Sequence, residues 1–172
     1  ARLLLQTVAR VRAAIGPSFP LAVKLNSADF QKGGFAFDDS LTVARWLQDA
    51  GVDLIEVSGG SYEQPKMVDA EGPEPAEMPK VAASTAAREA YFVDFAKAMR
   101  GELRIPVMVT GGFRTRRAVD HALSTDAADV IGIGRPMCVD TDAPRHLAEG
   151  VLELQRWESR LKMFPAWASF LR

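Results

Sequence analysis

Cysteine is almost missing from this chain: Cys138 is the single one among 172 residues. No disulfide can form within the chain, and no iron–sulfur or zinc cluster can be assembled from its cysteines alone. A lone thiol suits a reducing compartment, so the expected location is cytoplasmic. Histidine is scarce too. His121 and His146 are the only two, and both fall in stretches expected to be outer helices, which makes neither a good catalytic candidate. Net charge is near balance at −1, without the basic excess of a nucleic-acid binder. No apolar run approaches the ~20 residues that a membrane-spanning helix requires. The opening LLLQTVARVRAAI is broken by Gln6, Arg10 and Arg12, unlike a signal peptide. It starts inside what reads as a helix, which points to a piece of something longer. Neither GxGxxG nor GxxxxGKS/T follows the first expected strand, so a dinucleotide-binding Rossmann unit and a P-loop both lose support.

What is present is 48% hydrophobic residues, enough for one domain with a substantial core. The organising stretch runs from Ile105 to Arg135, IPVMVTGGFRTRRAVDHALSTDAADVIGIGR. An apolar, β-branched run, Ile105 to Val109, ends in Thr110-Gly111-Gly112. A second, Asp129 to Ile133, ends in Gly134-Arg135. Between them Ala118, Val119, Ala122 and Leu123 fall at helical spacing, so the stretch reads as a βαβ unit with parallel strands buried on both faces. Both glycine turns leave the carboxyl ends of adjacent strands. Glycine lets a backbone approach an anion closely, the following helix starts carry partial positive charge, and Arg135 can grip a phosphate bidentately. Glycines after a strand are also ordinary turns, and an arginine alone is often a surface residue. Two such turns on consecutive strands, one with an arginine, favour a phosphate site.

The rest of the chain keeps the same rhythm. Leu4, Val8, Val11 and Ile15 lie on one face of an amphipathic helix stopped by Gly16-Pro17. Leu21 to Leu25 is a strand ending in Asn26-Ser27-Ala28-Asp29. Asp39 or Ser40 can cap a helix from Leu41 to Ala50. Val52 to Val57 is the next strand, ending in Ser58-Gly59-Gly60-Ser61. Tyr62 to about Ser84 is a long loop rich in Pro, Glu and Met, a kind of segment that tends to be functional or disordered. Ser84 or Thr85 caps a helix from Ala86 to Arg100, closed by Gly101. A short helix is expected near 136–139 and a final amphipathic one over 144–163. Four strands alternating with helices predict a parallel sheet with right-handed crossovers, half of an eight-stranded barrel.

The segments VKLNSADFQKGG, DLIEVSGGSYEQP, AREAYFVDFAKAMR, IPVMVTGGFRT and ADVIGIGRP, in that order and spacing, resemble the second half of the old yellow enzyme family, FMN-dependent NAD(P)H:flavin oxidoreductases also called ene-reductases. The resemblance implies that residues 1–172 form one partial domain: strands 5–8 and following helices of a TIM (βα)8 barrel, four parallel strands with outer helices. It implies FMN as cofactor and NADH or NADPH as reductant. Hydride passes to FMN and then to a small-molecule acceptor such as an electron-poor alkene. By position Lys24, taken at the end of its strand, matches the basic residue beside the flavin pyrimidine. Such a cation would offset the negative charge that builds when flavin is reduced. Its plainer reading is a lysine satisfied by a neighbouring carboxylate. Gly112 and Gly134 match the backbone donors to the FMN phosphate, Gly111 shapes the same turn, and Arg135 matches the phosphate arginine. Ser58, Gly59 and Gly60 are wall residues, and Tyr62 is a substrate-loop candidate.

The family's first four strands have no counterpart here. They supply the substrate-binding pair and the proton donor, so no catalytic residue can be assigned, and the isolated chain is expected to be inactive. Its inner strand faces are expected to be apolar and open, calling for self-association or the missing amino-terminal half to complete the barrel. Neither a membrane nor a nucleic acid is an expected partner, and no metal is expected. Two alternatives stay open: another phosphate-binding TIM-barrel enzyme, and a non-catalytic half-barrel.

Overall fold

The computed structural model describes residues 1–29, 33–58 and 93–155. Their four strands form one sheet in chain order: β1 (Ala22–Asn26), β2 (Leu54–Ser58), β3 (Val107–Thr110) and β4 (Val130–Gly132). Every neighbouring pair is parallel. Helices α1 (Arg2–Ile15), α2 (Phe37–Asp49), α3 (Val93–Glu102) and α4 (Arg116–Ser124) alternate with the strands, and a short α5 (Ala143–Ala148) follows. This is half of a (βα)8 barrel in strand number, order and direction, as the sequence leads one to expect.

Successive side chains of a strand point to opposite faces, and the sequence uses that alternation. Leu25, Ile55, Val57, Val107 and Val109 are buried in one cluster with Val8, Val43, Ala44, Leu47, Ala96, Met99 and Ala122 of the helices. The other parity forms the inner face. Along it the register runs Lys24, Glu56, Met108, Val130, with Asn26 paired to Ser58 and Thr110 to Gly132. The expectation of an apolar inner face is therefore corrected. An ion pair sits in its middle row, and polar side chains lie along its carboxyl edge.

The amino-terminal edge of the sheet is fastened twice by one device. Asp53, just before β2, accepts the backbone N–H of Leu21 at 2.8 Å and pairs with Arg12 of α1. Asp129, just before β4, accepts the N–H of Val107 at 2.9 Å and two bonds from Arg100 of α3 at 3.0 and 3.1 Å. Each carboxylate thus ties its own strand to the preceding strand and to the helix that leads into it. The Arg100 guanidinium holds the Asp129 carboxyl below the usual range, and the Leu21 N–H followed by Arg12 does the same for Asp53.

Element ends differ from expectation in ways that the hydrogen bonds explain. Helix α2 begins at Phe37 because Asp39, instead of capping, reaches back from the third position to the Ala36 N–H. Ser40 is buried and donates to the Asn26 carbonyl at 2.7 Å. Helix α3 runs through Gly101 to Glu102. Helix α5 stops at Ala148 and residues 149–155 are not helical, while residues 156–163 of the expected helix lie outside the described residues. Arg116 Nη1 donates to the carbonyls of Leu147 and Ala148, and beyond the turn Glu153 bridges antiparallel to Thr115.

Two measurements follow. Both clamped carboxyls have lowered folded-state values, so their stabilisation is complete above the unfolded value near ~4 and is lost as pH falls through the folded value. Asp129→Asn should lower Tm at pH 7 and make the further fall of Tm below about pH 4 shallower than in the wild type. Equal acid slopes would remove Asp129 from the acid response. In addition, a Cβ at position 132 would lie 1.9 Å from Thr110 Oγ1 and 2.7 Å from Met108 Cε. Gly132→Ala should cost about 1–3 kcal/mol in denaturant unfolding, and Thr110→Ala should recover part of that loss. An unchanged midpoint in Gly132→Ala would show that the two strands are not packed this closely.

Candidate functional site

Parallel pairing brings all four carboxyl ends to one edge, where sites on such sheets lie. Gly111 and Gly112 follow β3 directly. Gly134 and Arg135 lie just past β4, and the Thr110–Gly132 pairing makes these strands neighbours. The two turns leave the sheet side by side.

The first turn needs its glycines. Gly111 has φ 137° and Gly112 φ 76°, conformations that a Cβ penalises. The chain then enters α4, whose cap Thr115 accepts the Ala118 N–H at 3.3 Å. Between them the Arg114 residue is 8% exposed. Its carbonyl accepts the Leu154 N–H at 2.8 Å, and Arg116 N donates to Leu152 O at 2.9 Å, so the segment after α5 braces the turn from outside. The second turn is different. Gly134 has a negative φ of −106° with ψ −86°, and a Cβ there would meet nothing within 4 Å. Arg135 is exposed and opens a 3-10 turn over Arg135–Cys138, anchored by buried Pro136.

Two hydroxyls at this edge stand out. Thr110 Oγ1 and Ser27 Oγ are buried without a hydrogen-bond partner, a shortfall of about 1–3 kcal/mol each. Thr110 immediately precedes the glycine turn. Ser58 is buried at the end of β2, and its carbonyl accepts the Ser27 N–H.

Lys24 lies in the middle of β1, not at its end. Its Nζ is 3.0 Å from Glu56 Oε1, with the lysine side chain 49% and the glutamate 22% exposed. The plainer reading, a lysine satisfied by a neighbouring carboxylate, is the arrangement seen. At ~4.8 Å per strand and ~3.3 Å per residue along it, Lys24 is roughly 14–20 Å from the glycine turns, measured between backbones. It cannot share one anion with Arg135, but it can address the far end of an elongated ligand. Tyr62, Gly59 and Gly60 lie outside the described residues. Among the described residues no cluster of His, Cys, Asp and Glu could hold a metal ion, and no helix is long and apolar enough to cross a membrane. His146 pairs with Asp140 at 2.9 Å, and His121 sits on α4, both among outer elements.

Sequence reasoning did not single out Glu56, Thr110 or Arg114. Glu56 breaks an apolar run in DLIEV and shares the parity of Ser58, a signal that a charge belongs to the inner face. Nothing in the sequence pairs it with Lys24.

Fold and edge together define half of a (βα)8 barrel with two adjoining glycine turns. Residues 1–153 match the NADH:flavin oxidoreductase / NADH oxidase family, and the chain belongs to it. An NADH-dependent flavin oxidoreductase of Hypocrea jecorina (strain QM6a) is 35% identical over 146 residues, covering 84% of this chain and 35% of that protein. One of Talaromyces variabilis is 35% identical, covering 84% and 34%. The chain thus spans about a third of the length of these relatives. Among solved structures, a 2-naphthoyl-CoA reductase complex superposes with TM-score 0.71 at 20% identity over 87% of this chain and 21% of that one. An old yellow enzyme homologue from Zymomonas mobilis gives 0.60 at 20% identity over 99% and 43%. These two are likenesses of fold.

The glycines separate by test. Gly112→Ala should lose about 1–2 kcal/mol of unfolding free energy, and Gly134→Ala, with no positive φ and no close neighbour, should lose less. Equal losses would contradict the difference in their backbones.

Proposed function

We propose that this chain is the FMN-phosphate-binding half of an NAD(P)H-dependent flavin oxidoreductase, with ene-reductase chemistry as the specific activity. The observation that carries the reading is the adjacency of the two turns after β3 and β4, fixed by the Thr110–Gly132 pairing. Family membership supplies the cofactor class.

The residues present fit an anionic cofactor. Positive φ at Gly111 and Gly112 and open space around Gly134 let a phosphate approach backbone N–H groups closely, and the unmet Thr110 hydroxyl lies beside them. In this reading Gly112 and Gly134 donate to the phosphate, Gly111 shapes the turn, and Arg135 supplies the counter-charge. FMN, when bound, supplies hydride transfer between NADH or NADPH and an acceptor, here an electron-poor alkene. Lys24 places a cation where negative charge builds at the far end of the cofactor. Its exposed pairing with Glu56 is worth about 0.2–1 kcal/mol, weak enough for a bound anion to compete with it. Residues that hold the alkene and return a proton belong to the other half of the barrel; within this chain Tyr62 is a candidate substrate contact only. The remaining strands come from residues beyond this chain or from another copy of it, and alone the chain does not turn over.

Titration of FMN into the protein, read by fluorescence quenching, tests this. Saturable quenching is expected, and Arg135→Ala should weaken it about 10- to 100-fold, the worth of a charge-assisted bond. Absence of quenching at high micromolar FMN would leave a purely structural half-barrel. Undiminished affinity in Arg135→Ala would move the phosphate elsewhere.

A further inference from the structure

Lys24 and Glu56 are partners through the sheet itself. The register sets Lys24 directly opposite Glu56, and alternation sends both side chains to the inner face. Nζ and Oε1 meet at 3.0 Å. The row continues as Met108 and Val130, which are apolar, so within it the ammonium has one counter-charge. The glutamate is the more covered member, 22% against 49% exposed. The carboxylate is therefore the fixed partner and the lysine the one that reaches outward.

We propose that Glu56 is a positioning residue for Lys24, holding the ammonium on the inner face and setting how much of its positive charge reaches the cofactor ring. This rests on the reading of Lys24 as the cation beside the flavin. A carboxylate 3 Å from an ammonium turns a charge into a dipole, whose field falls off faster with distance. A reduced, negatively charged ring must then compete with Glu56 for the same ammonium. Glu56 thereby disfavours the reduced cofactor, and part of that effect passes only through Lys24.

The test is the midpoint potential of FMN bound to the full-length protein carrying this chain, measured for wild type, Glu56→Gln, Lys24→Met and the double variant. Glu56→Gln should raise the affinity for reduced over oxidised FMN about two- to fivefold, the worth of a half-exposed pair. Fivefold corresponds to about 20 mV for a two-electron couple. Lys24→Met should lower the potential. In the Lys24→Met background, Glu56→Gln should shift it by less than in wild type, because only the direct field of the carboxylate remains to be removed. Glu56→Asp, which keeps the charge on a shorter stem, should fall between wild type and Glu56→Gln, and it provides the comparison if Glu56→Gln folds poorly. Equal shifts in both backgrounds, or no shift in wild type, would overturn the inference while the phosphate site stands. An unchanged potential in Lys24→Met would overturn it by taking Lys24 away from the ring. Failure of the wild type to bind FMN would overturn the functional reading and this inference together.

Discussion

A carboxylate placed just before a strand does the fastening in this half-barrel, and it does so twice. Asp53 and Asp129 each accept a backbone N–H from the preceding strand's side and an arginine from the helix leading into that strand. The elements thereby group as two similar units, α1-β1-α2-β2 and α3-β3-α4-β4, each closed at its amino edge by an arginine–aspartate clamp. Without the clamp, the start of β3 would be held to β4 mainly by ladder bonds at the end of short, three- and four-residue strands. Exposed ion pairs are weak, but these carboxylates also satisfy backbone donors that would otherwise lack partners, and that contribution survives salt.

Fastening one edge leaves the other free. Both clamps lie at the amino ends, while the carboxyl ends carry features that cost stability: two positive-φ glycines, two buried hydroxyls without partners, and a glycine pressed against Thr110. This is the division that a βα barrel permits, because its loops at one end can vary while strand starts keep the sheet together. The segment after α5 adds a brace from outside through the Thr115–Glu153 bridge. The glycine turn is thus positioned by the chain that follows it as well as by its own strand.

Much of the fold was legible because its signals are local. The β-branched runs fell on all four strands, and the apolar spacing found α1 and α4. The misplaced ends have different causes: at α5 a tertiary hydrogen bond outweighed a local pattern, and at α2 one local hydrogen bond replaced another. Periodicity carried the last helix on to 163, yet Arg116 caps α5 at Leu147 and Ala148. Capping rules placed Asp39 at the start of α2, yet it serves from inside the first turn. At the site, the glycine turns were readable since turns are spelled in adjacent residues. The Lys24–Glu56 pair was not, because one residue of register slip between β1 and β2 would have sent Glu56 to the opposite face. For the same reason the inner face was expected to be apolar: strand composition hides which residues share a side.

Three of the glycines at this edge differ in what their surroundings ask of them. Gly112 is dictated by its dihedral angle, φ 76°. Gly132 is dictated by space, since a methyl there would strike Thr110 and Met108. Gly134 has room for a methyl, with nothing within 4 Å, and a negative φ of −106°, but its ψ of −86° lies outside the helical and extended basins. What a methyl would obstruct is access to the backbone from the open side, next to an exposed arginine and across from a second glycine turn. Of the three, Gly134 is the one whose side is left open, and an anion approaching this edge would need bare backbone there.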